Sequence, residues 1–350
     1  MPERQIPGQR LLGVLGVALV AALTACTDAP TGPSAGGSST GPAGSVPSTM
    51  SASGQFSGPV DVGGGRTIYL ECHGTGTPTV VLLSGGGNAG DIWQVTGASP
   101  PPVADGVAAF THVCLFDRPG TYVTTAEKDG VRAPLTSAEP VTAARGSAVL
   151  SAPRTGSDVV AELHQLLAAA HVPPPYVLVG HSLGGLFSLL YARTYPDQVS
   201  GMVLVDPTNP EMRDLVSPAQ WALFERNGLD PGPSRISGYV SETYRITATI
   251  DQLDAAGPMP RIPVTELVKT LPQAYKGQLP LPGTAADWEA FETALPAAHA
   301  ALIRSIPGSK LVPVPHTTHN IPTERPDVVI DAIRATTSGT TMTSTPTSTP

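Results

Sequence analysis

A serine flanked by glycines, between a predicted strand and a predicted helix, constrains this chain most strongly. Gly180-His181-Ser182-Leu183-Gly184 follows an apolar run at 176–179 and precedes a helix-like stretch at 183–195. Side chains at the two outer positions would crowd a tight turn, so glycine at both predicts a sharp strand-turn-helix unit. Ser182 would then lie at a helix N-terminus, where backbone N–H groups and the positive end of the helix dipole favour negative charge.

The rest of the chain from about residue 57 to residue 335 alternates in the same way. Short apolar runs rich in β-branched residues predict strands at 67–72, 79–83, 112–116, 176–179, 202–205, 262–268 and 310–314. Periodic stretches predict helices at 157–170, 183–195, 218–227, 285–306 and 326–335. Continuous apolar strands separated by helices predict an α/β fold, with a mostly parallel central sheet and helices on both faces.

Several motifs in order resemble the α/β-hydrolase fold family, and the resemblance covers roughly residues 60–335. Besides the serine pentapeptide and the Gly185 that follows it, the segment 80–87 (VVLLSGGG) is similar to the family's strand and following loop, with Ser84 where the family usually has histidine. The segment 116–120 (FDRPG) resembles the family's Tyr-Asp-x-x-Gly. This resemblance implies the family's fold and an acyl-transfer site, but it says little about the substrate.

The resemblance implies a nucleophile, an oxyanion hole and a general base. Ser182 would be the nucleophile, and the amides of Leu183 and Gly86, or Gly87 if the loop is shifted, would hold the oxyanion. The base follows the last strand in this family, which favours His319 in the segment 316–322 (HTTHNIP). His316 is the alternative, with loop packing as its other role.

The acid of the triad is less clear from the sequence. The family commonly places it after the strand at 262–268, but the residues that follow here, 269–272 (KTLP), contain no carboxylate. Some branches place it one strand earlier, where Asp206 follows the run at 202–205. We therefore expect Asp206 to orient His319, with Glu266 and Asp287 as alternatives and capping of a turn as the other role for Asp206.

Both termini have compositions that differ from the body. Residues 1–25 combine Arg4 and Arg10 with a thirteen-residue apolar run at 11–23, which predicts an export signal too short to span a bilayer. The segment 23–26 (LTAC) resembles a bacterial lipobox, so Cys26 would carry lipid; a plain secretory signal is the alternative. Residues 26–58 predict a flexible Ser/Gly/Pro/Thr tether and 336–350 a disordered Thr/Ser/Pro tail, which leaves a catalytic domain at 59–335.

Two further features follow from export and from the resemblance. Cys72 and Cys114 remain after Cys26, and in an exported protein they favour a disulfide over two buried thiols. The family's strand order makes their strands neighbours. The long segment 207–260 predicts a helical cap over the nucleophile, with an elaborated crossover packed on the sheet as the alternative.

These features favour an exported, lipid-anchored serine hydrolase that cleaves small carboxylic esters. Acyl transfer, amide or lactone hydrolysis by the same triad, and a non-catalytic ligand-binding lipoprotein are the alternatives. A formal net charge of -8 argues against nucleic-acid binding. No cofactor is expected, no obligate protein partner is inferred, and His316 with His319 lacks a third ligand for zinc.

Overall fold

The computed structural model describes residues 54–95, 101–129, 131–136, 139–146, 153–230, 234–272 and 283–339. The predicted signal segment 1–25, the lipidation candidate Cys26, most of the predicted tether and the end of the predicted tail lie outside these residues. Within the described part of the chain, no helix is both long enough and apolar enough to cross a membrane.

An eight-stranded sheet forms the centre of the fold. The strands of the chain are β1 (Phe56–Asp61), β2 (Thr67–His73), β3 (Thr79–Leu83), β4 (Val113–Phe116), β5 (Tyr122–Val123), β6 (Thr125–Lys128), β7 (Val131–Pro134), β8 (Thr142–Ala143), β9 (Tyr176–His181), β10 (Val199–Val205), β11 (Val264–Lys269) and β12 (Lys310–Val314). The order in the central sheet is β1-β2-β4-β3-β9-β10-β11-β12. The six strands from β4 to β12 in this order are parallel, whereas β1 and β2 are antiparallel to their neighbours. Pairs β5–β8 and β6–β7 form two small separate sheets.

Helices cover both faces of this sheet, as the alternation of strands and helices predicts. They are α1 (Val103–Ala108), α2 (Gly156–Ala169), α3 (Leu183–Thr194), α4 (Pro218–Leu229), α5 (Ile246–Ala255), α6 (Ala285–Ser305), α7 (Ile321–Glu324) and α8 (Pro326–Ser338). Short 3-10 helices span Gly90–Gln94, Pro196–Gln198 and Pro210–Asp214. The predicted α/β class with a mostly parallel sheet is therefore confirmed.

Alternate residues of the central strands enter two separate hydrophobic cores. Val81 and Leu83 of β3 pack with side chains of α2, α3, α5 and α6. Val80 and Leu82 of the same strand pack with side chains of α1, α7 and α8. Because successive strand residues point to opposite faces, a strand covered on both sides must be apolar throughout. This explains why β3 reads TVVLL and is buried along its whole length.

Helix α2 shows how a sequence pattern sets an element's start. Its buried stripe includes Val159, Val160 and Leu163, as the predicted period requires. The sequence predicts a helix from residue 157, but the N-cap is Thr155, and Asp158 occupies the third helical position of a capping box. The Asp158 carboxylate accepts a hydrogen bond from the Thr155 backbone N–H at 2.8 Å, which satisfies a donor at the helix start.

The folded part of the chain extends three residues beyond each of its predicted boundaries, residues 59 and 335. Strand β1 begins at Phe56, inside the segment 26–58 predicted as tether, and its residues alternate between buried and exposed. That alternation suits an edge strand paired with β2, but Gly58 and Pro59 hide it in the sequence. Helix α8 extends to Ser338, past the predicted tail start at residue 336, and Gly339 ends it in the left-handed conformation.

The segment 207–260, predicted as a helical cap, contains the helices α4 and α5, which contact different parts of the fold. Helix α5 packs beside α2 and α3, where the Gly156 amide donates to the Thr249 hydroxyl at 2.8 Å. This part corresponds to the alternative, an elaborated crossover. Helix α4 contributes Trp221 and Phe224 to a chain of aromatic contacts with Phe291 of α6. The stretch that precedes α5 contacts the loop after β3, residues 84–87, which we call the glycine loop.

Cys72 of β2 and Cys114 of β4 face each other across the sheet. They are direct partners in the antiparallel register, with Cα atoms 4.1 Å apart, which is a spacing typical of non-hydrogen-bonded pairs. Their sulfur atoms lie 2.09 Å apart, at disulfide distance. The pairing that the family's strand order implies is thus the one that the sheet allows.

We expect a Cys72→Ala/Cys114→Ala double variant to have a lower free energy of unfolding. The cysteines are 42 residues apart, and opening a loop of that length costs about 4 kcal/mol on the loop-entropy account. Urea unfolding of both proteins without reductant measures the difference. Maleimide labelling of both cysteines in unreduced, denatured wild-type protein would contradict the bond.

Candidate active site

The backbone at Ser182 adopts the strained turn that its sequence context predicts. Ser182 has φ 53° and ψ -121° between β9 and α3, a conformation that costs free energy for a residue with a side chain. A Cβ at Gly180 would lie 2.4 Å from the Gly184 carbonyl oxygen, and one at Gly184 would lie 2.2 Å from the Leu83 carbonyl oxygen. Only glycine fits at either position, so the two glycines permit the turn.

His319 lies beside Asp206, although 113 residues separate them in the chain. The His319 Nδ1 and Asp206 Oδ2 atoms are 2.5 Å apart. Asp206 directly follows β10 and is buried, whereas His319 is in the loop between β12 and α7 and its side chain is 23% exposed. The Nδ1 contact leaves Nε2 as the ring nitrogen that can exchange a proton with a substrate or nucleophile.

The alternatives that the sequence leaves open make other contacts. Glu266 is buried and bonds His299 Nδ1 at 2.6 Å. Asp287 is exposed and caps α6, where it accepts hydrogen bonds from Thr284. His316 is exposed, with its backbone N–H bonded to the Thr270 hydroxyl. Among the carboxylates and histidines considered, the structure therefore brings together Asp206 and His319.

The surroundings of Asp206 keep its carboxylate ionised. Burial alone would raise the pKa of Asp206, but the hydrogen bond from His319 and electrostatic interactions with His319, Lys269 and His299 lower it below its usual value. The Lys269 backbone N–H also donates to Oδ1 at 3.3 Å. Burial raises the pKa of neighbouring Glu266 instead.

The glycine loop after β3 lies against the serine turn. A Cβ at Gly85 would be 3.2 Å from Ser182 Cβ, and one at Gly86 would be 3.8 Å from Leu183 Cδ2. The Gly87 amide donates to the Tyr244 hydroxyl at 3.1 Å, so it is already engaged. The geometry thus favours Gly86 over Gly87 as the partner of Leu183. Ser84, at the family's histidine position, donates its hydroxyl hydrogen to the Ala89 carbonyl.

His181, which the sequence assigns only to the turn, also touches the His319 loop. Its Nε2–H donates to the His319 carbonyl oxygen at 2.8 Å, and the two rings lie 4.6 Å apart between centroids. Burial and the nearby His319 lower the pKa of His181 to about 3. His181 therefore remains neutral and acts as a hydrogen-bond donor to the loop. The sequence gives no signal for this contact, because it joins residues 138 positions apart.

One group of side chains within the described residues has ligand types that suit a metal. Cys72, Cys114 and His112 place ligand atoms within 4.8 Å of one another. The two sulfur atoms, however, lie at bonding distance from each other. The His112 ring nitrogens bond the Thr79 hydroxyl and the Gly54 carbonyl. The group therefore fits a disulfide with a neighbouring, satisfied histidine better than a metal centre.

Comparisons with known proteins support the α/β-hydrolase fold. The family model described as "alpha/beta hydrolase fold" matches residues 78–234. A putative carbamate hydrolase RutD of Yersinia enterocolitica is 28% identical over 142 residues, which cover 40% of each chain. A pimeloyl-acyl carrier protein methyl ester esterase of Chromobacterium violaceum is 30% identical over 151 residues, which cover 43% of this chain and 45% of that one.

The aligned region spans less than half the length of these curated relatives. Among solved structures, an E-2-(acetamidomethylene)succinate hydrolase has 17% identity and a TM-score of 0.49, covering 81% of this chain and 98% of that one.

We expect a His181→Gln variant to change how stability depends on pH. With a folded-state pKa near 3, against 6.5 in the unfolded chain, wild-type His181 takes up a proton only on unfolding between these values. Stability should therefore fall with decreasing pH in this window, by up to about 1.4 kcal/mol per pH unit from this group. Glutamine retains a donor but does not titrate, so this contribution should disappear.

Urea unfolding of both proteins at several pH values between 7 and 4 measures this difference. Parallel losses of stability in the two proteins would show that His181 is protonated in the folded state as readily as in the unfolded state.

Proposed function

We propose that this chain, which belongs to the α/β-hydrolase fold family, is a serine hydrolase that cleaves carboxylic esters through an acyl-enzyme. The observation that carries the proposal is the 2.5 Å contact between His319 and Asp206 at the strand edge where Ser182 has its strained turn. These are the three side-chain types of a nucleophile, base and acid, in the chain order serine, acid, histidine.

In the proposed acylation step, Ser182 Oγ attacks the ester carbonyl carbon. Its proton passes to His319 Nε2 as the new carbon–oxygen bond forms. Asp206 holds the Nδ1 proton of His319, which fixes the ring orientation and stabilises the imidazolium that results. His319 then gives its proton to the departing alkoxide, so an alcohol leaves and an acyl-Ser182 ester remains.

The negative charge on the carbonyl oxygen needs donors on the opposite side of the attacked carbon. We assign this role to the backbone N–H groups of Leu183 and Gly86. Leu183 opens α3, so its N–H belongs to the helix start and has no carbonyl four residues earlier to pair with. Such preorganised donors are worth about two to three orders of magnitude in turnover each.

Deacylation repeats the sequence with water as the nucleophile. His319 takes a proton from water, hydroxide attacks the acyl-Ser182 carbonyl, and the proton returns to Ser182 Oγ as the acid product leaves.

The Tyr244 side chain lies at the glycine loop, where a Cβ on Gly86 would be 3.4 Å from its ring. Tyr244 therefore forms part of the apolar surroundings of the proposed oxyanion site.

Ester hydrolysis is the reaction class that we favour. The relative from Chromobacterium violaceum is named as a methyl ester esterase, which supports an ester substrate for this chain. A nucleophilic serine at position 182 would form an acyl-serine ester, which is the intermediate expected from attack on a carboxylic ester.

We expect Asp206→Asn to lower kcat for p-nitrophenyl esters by about 10⁴-fold, because an amide at this position favours the wrong histidine tautomer. The fold should persist, since asparagine has nearly the same shape. Asp287→Asn is the matched control, and it should leave kcat unchanged because Asp287 caps α6 at the surface. Hydrolysis across a series of acyl lengths measures both variants and defines the acyl preference.

Glu266→Gln distinguishes the remaining alternative. A loss of about 10⁴-fold in this variant, with full activity in Asp206→Asn, would transfer the role of the acid to Glu266 and contradict the proposed triad.

We further propose that the protein is exported and held at the extracytoplasmic face of the cell membrane by lipid on Cys26. The signal-like segment and the LTAC sequence support this, as do Cys72 and Cys114 at disulfide distance, since disulfides persist outside the cytosol. Cys26→Ser should move the protein from the membrane fraction, as detected by immunoblotting of fractionated cells. An equal membrane share of wild-type and Cys26→Ser protein would contradict lipid attachment at this residue.

A further inference from the structure

The buried Arg118 side chain binds the backbone of the glycine loop. Arg118 follows β4, and its side chain is only 1% exposed. Its Nη1–H donates to the Ser84 carbonyl and its Nη2–H to the Gly85 carbonyl, both at 2.7 Å. A planar guanidinium can bind two adjacent carbonyl groups in one orientation, which fixes two successive peptide planes.

Glu242 and Tyr244, which precede α5, extend this contact to the other side of the loop. Arg118 Nε–H donates to Glu242 Oε1 at 2.9 Å. The Tyr244 hydroxyl donates to Glu242 Oε2, and the Gly87 N–H donates to the Tyr244 oxygen at 3.1 Å. The peptide groups before and after Gly86 are thus joined to the same buried ion pair.

Both residues belong to the segment 207–260 between β10 and β11, which we call the insertion, and both are themselves held in place. The Glu242 N–H donates to the Gly120 carbonyl at 2.9 Å, and the Tyr244 N–H donates to the Gly228 carbonyl at 2.8 Å. Burial and the Glu242 carboxylate raise the pKa of Tyr244, so its hydroxyl stays protonated and available as a donor. The insertion therefore presents Glu242 and Tyr244 to the loop in a fixed geometry.

A buried ion pair of this kind is a poor way to gain stability, because desolvation of two charges offsets most of their attraction. Its hydrogen bonds do, however, define direction. In a planar trans peptide the carbonyl and the following N–H point in opposite directions. By binding the Gly85 carbonyl, Arg118 therefore sets the Gly86 N–H to point away from itself.

We propose that Arg118 is a positioning residue for the oxyanion hole and that Glu242 and Tyr244 of the insertion orient it. This inference rests on the proposed esterase function. The long segment between β10 and β11 then has a role in catalysis without contributing a reacting group: it locks the Gly86 N–H in the direction that the transition state requires. The positive charge of Arg118 beside the Gly85 carbonyl also polarises the peptide group that joins Gly85 to Gly86, which strengthens the Gly86 N–H as a donor.

The test compares Arg118→Lys, Arg118→Met and Tyr244→Phe with wild type. Turnover of a p-nitrophenyl ester is measured per active serine, with the active fraction counted by endpoint labelling with a fluorophosphonate. Affinity for a trifluoromethyl ketone, which forms a tetrahedral adduct with an oxyanion, is measured in parallel. Positioning predicts that both Arg118 variants lose about 10²-fold in kcat and a similar factor in ketone affinity, with KM little changed.

Tyr244→Phe removes one hydroxyl and should lose about 3- to 10-fold in kcat, again matched in ketone affinity. It decides the question if the Arg118 variants fail to fold. Lysine should not substitute for arginine, because a point charge cannot bind two carbonyls and a carboxylate in one plane.

Arg154→Met is the matched control. Arg154 forms a buried pair with Glu162 at 2.6 Å, and its side chain makes no hydrogen bond to the glycine loop among the described residues. Its backbone hydrogen bonds to Thr243 and Arg245 do not depend on the side chain. It should lower the urea midpoint but leave kcat per active serine unchanged.

Unchanged kcat per active serine in Tyr244→Phe and Arg118→Lys would overturn the inference while leaving the esterase proposal intact, as would a loss of kcat without a matching loss of ketone affinity. Absence of both labelling and turnover in the wild type would instead overturn the proposed function, and this inference with it.

Discussion

The close approach of β3, β9 and α3 around the serine turn is the constraint on which the site depends. Because Gly180 and Gly184 have no side chains, the carboxyl end of β3 can contact the first turn of α3. The loop that follows β3 therefore begins beside Ser182. Any side chain at Gly180 or Gly184 would separate the helix from the sheet and move the glycine loop away from Ser182.

Parallel register then determines which residues meet at this edge. Val205 of β10 pairs with His181 of β9, so Asp206 and Ser182 follow at the same level on neighbouring strands. The hydrogen bonds from the Ser182 N–H to the Val205 carbonyl and from the Asp206 N–H to the Leu267 carbonyl extend the ladder by one residue. His319 needs only a loop after β12 to reach Asp206. The geometry of the proposed triad is thus a consequence of strand register together with one loop.

Much of this arrangement could be predicted from the sequence, because local patterns specify it. The strands on both sides of the serine motif, the helix that it opens and the polar residues at strand ends all leave signals within a few residues. A departure from the family, the missing carboxylate after β11, directs attention to Asp206. Strand β1 was hidden because Gly58 and Pro59 resemble the tether composition. The N-cap of α2, Thr155, was likewise not identified, because several polar residues near a helix start compete as caps.

Contacts between distant segments could not be predicted. Arg118 and Glu242 are 124 residues apart, and His181 and the His319 carbonyl are 138 apart. Each of these residues has an ordinary local role, in a loop or a turn, that conceals its partner. The pairing of His299 with Glu266 is equally invisible, since one lies in a helix and the other in a buried strand. Buried polar groups are satisfied by whatever the fold brings to them, which requires knowledge of the packing.

The most direct measurement of the central claim is the site of covalent modification by a fluorophosphonate probe. The folded protein is treated with the probe, digested and mapped by mass spectrometry, with Ser182→Ala as the reference. The account predicts one adduct per chain, on the peptide that contains Ser182, and no adduct in the variant. An unmodified folded protein, or an adduct on another residue that persists in Ser182→Ala, would contradict it.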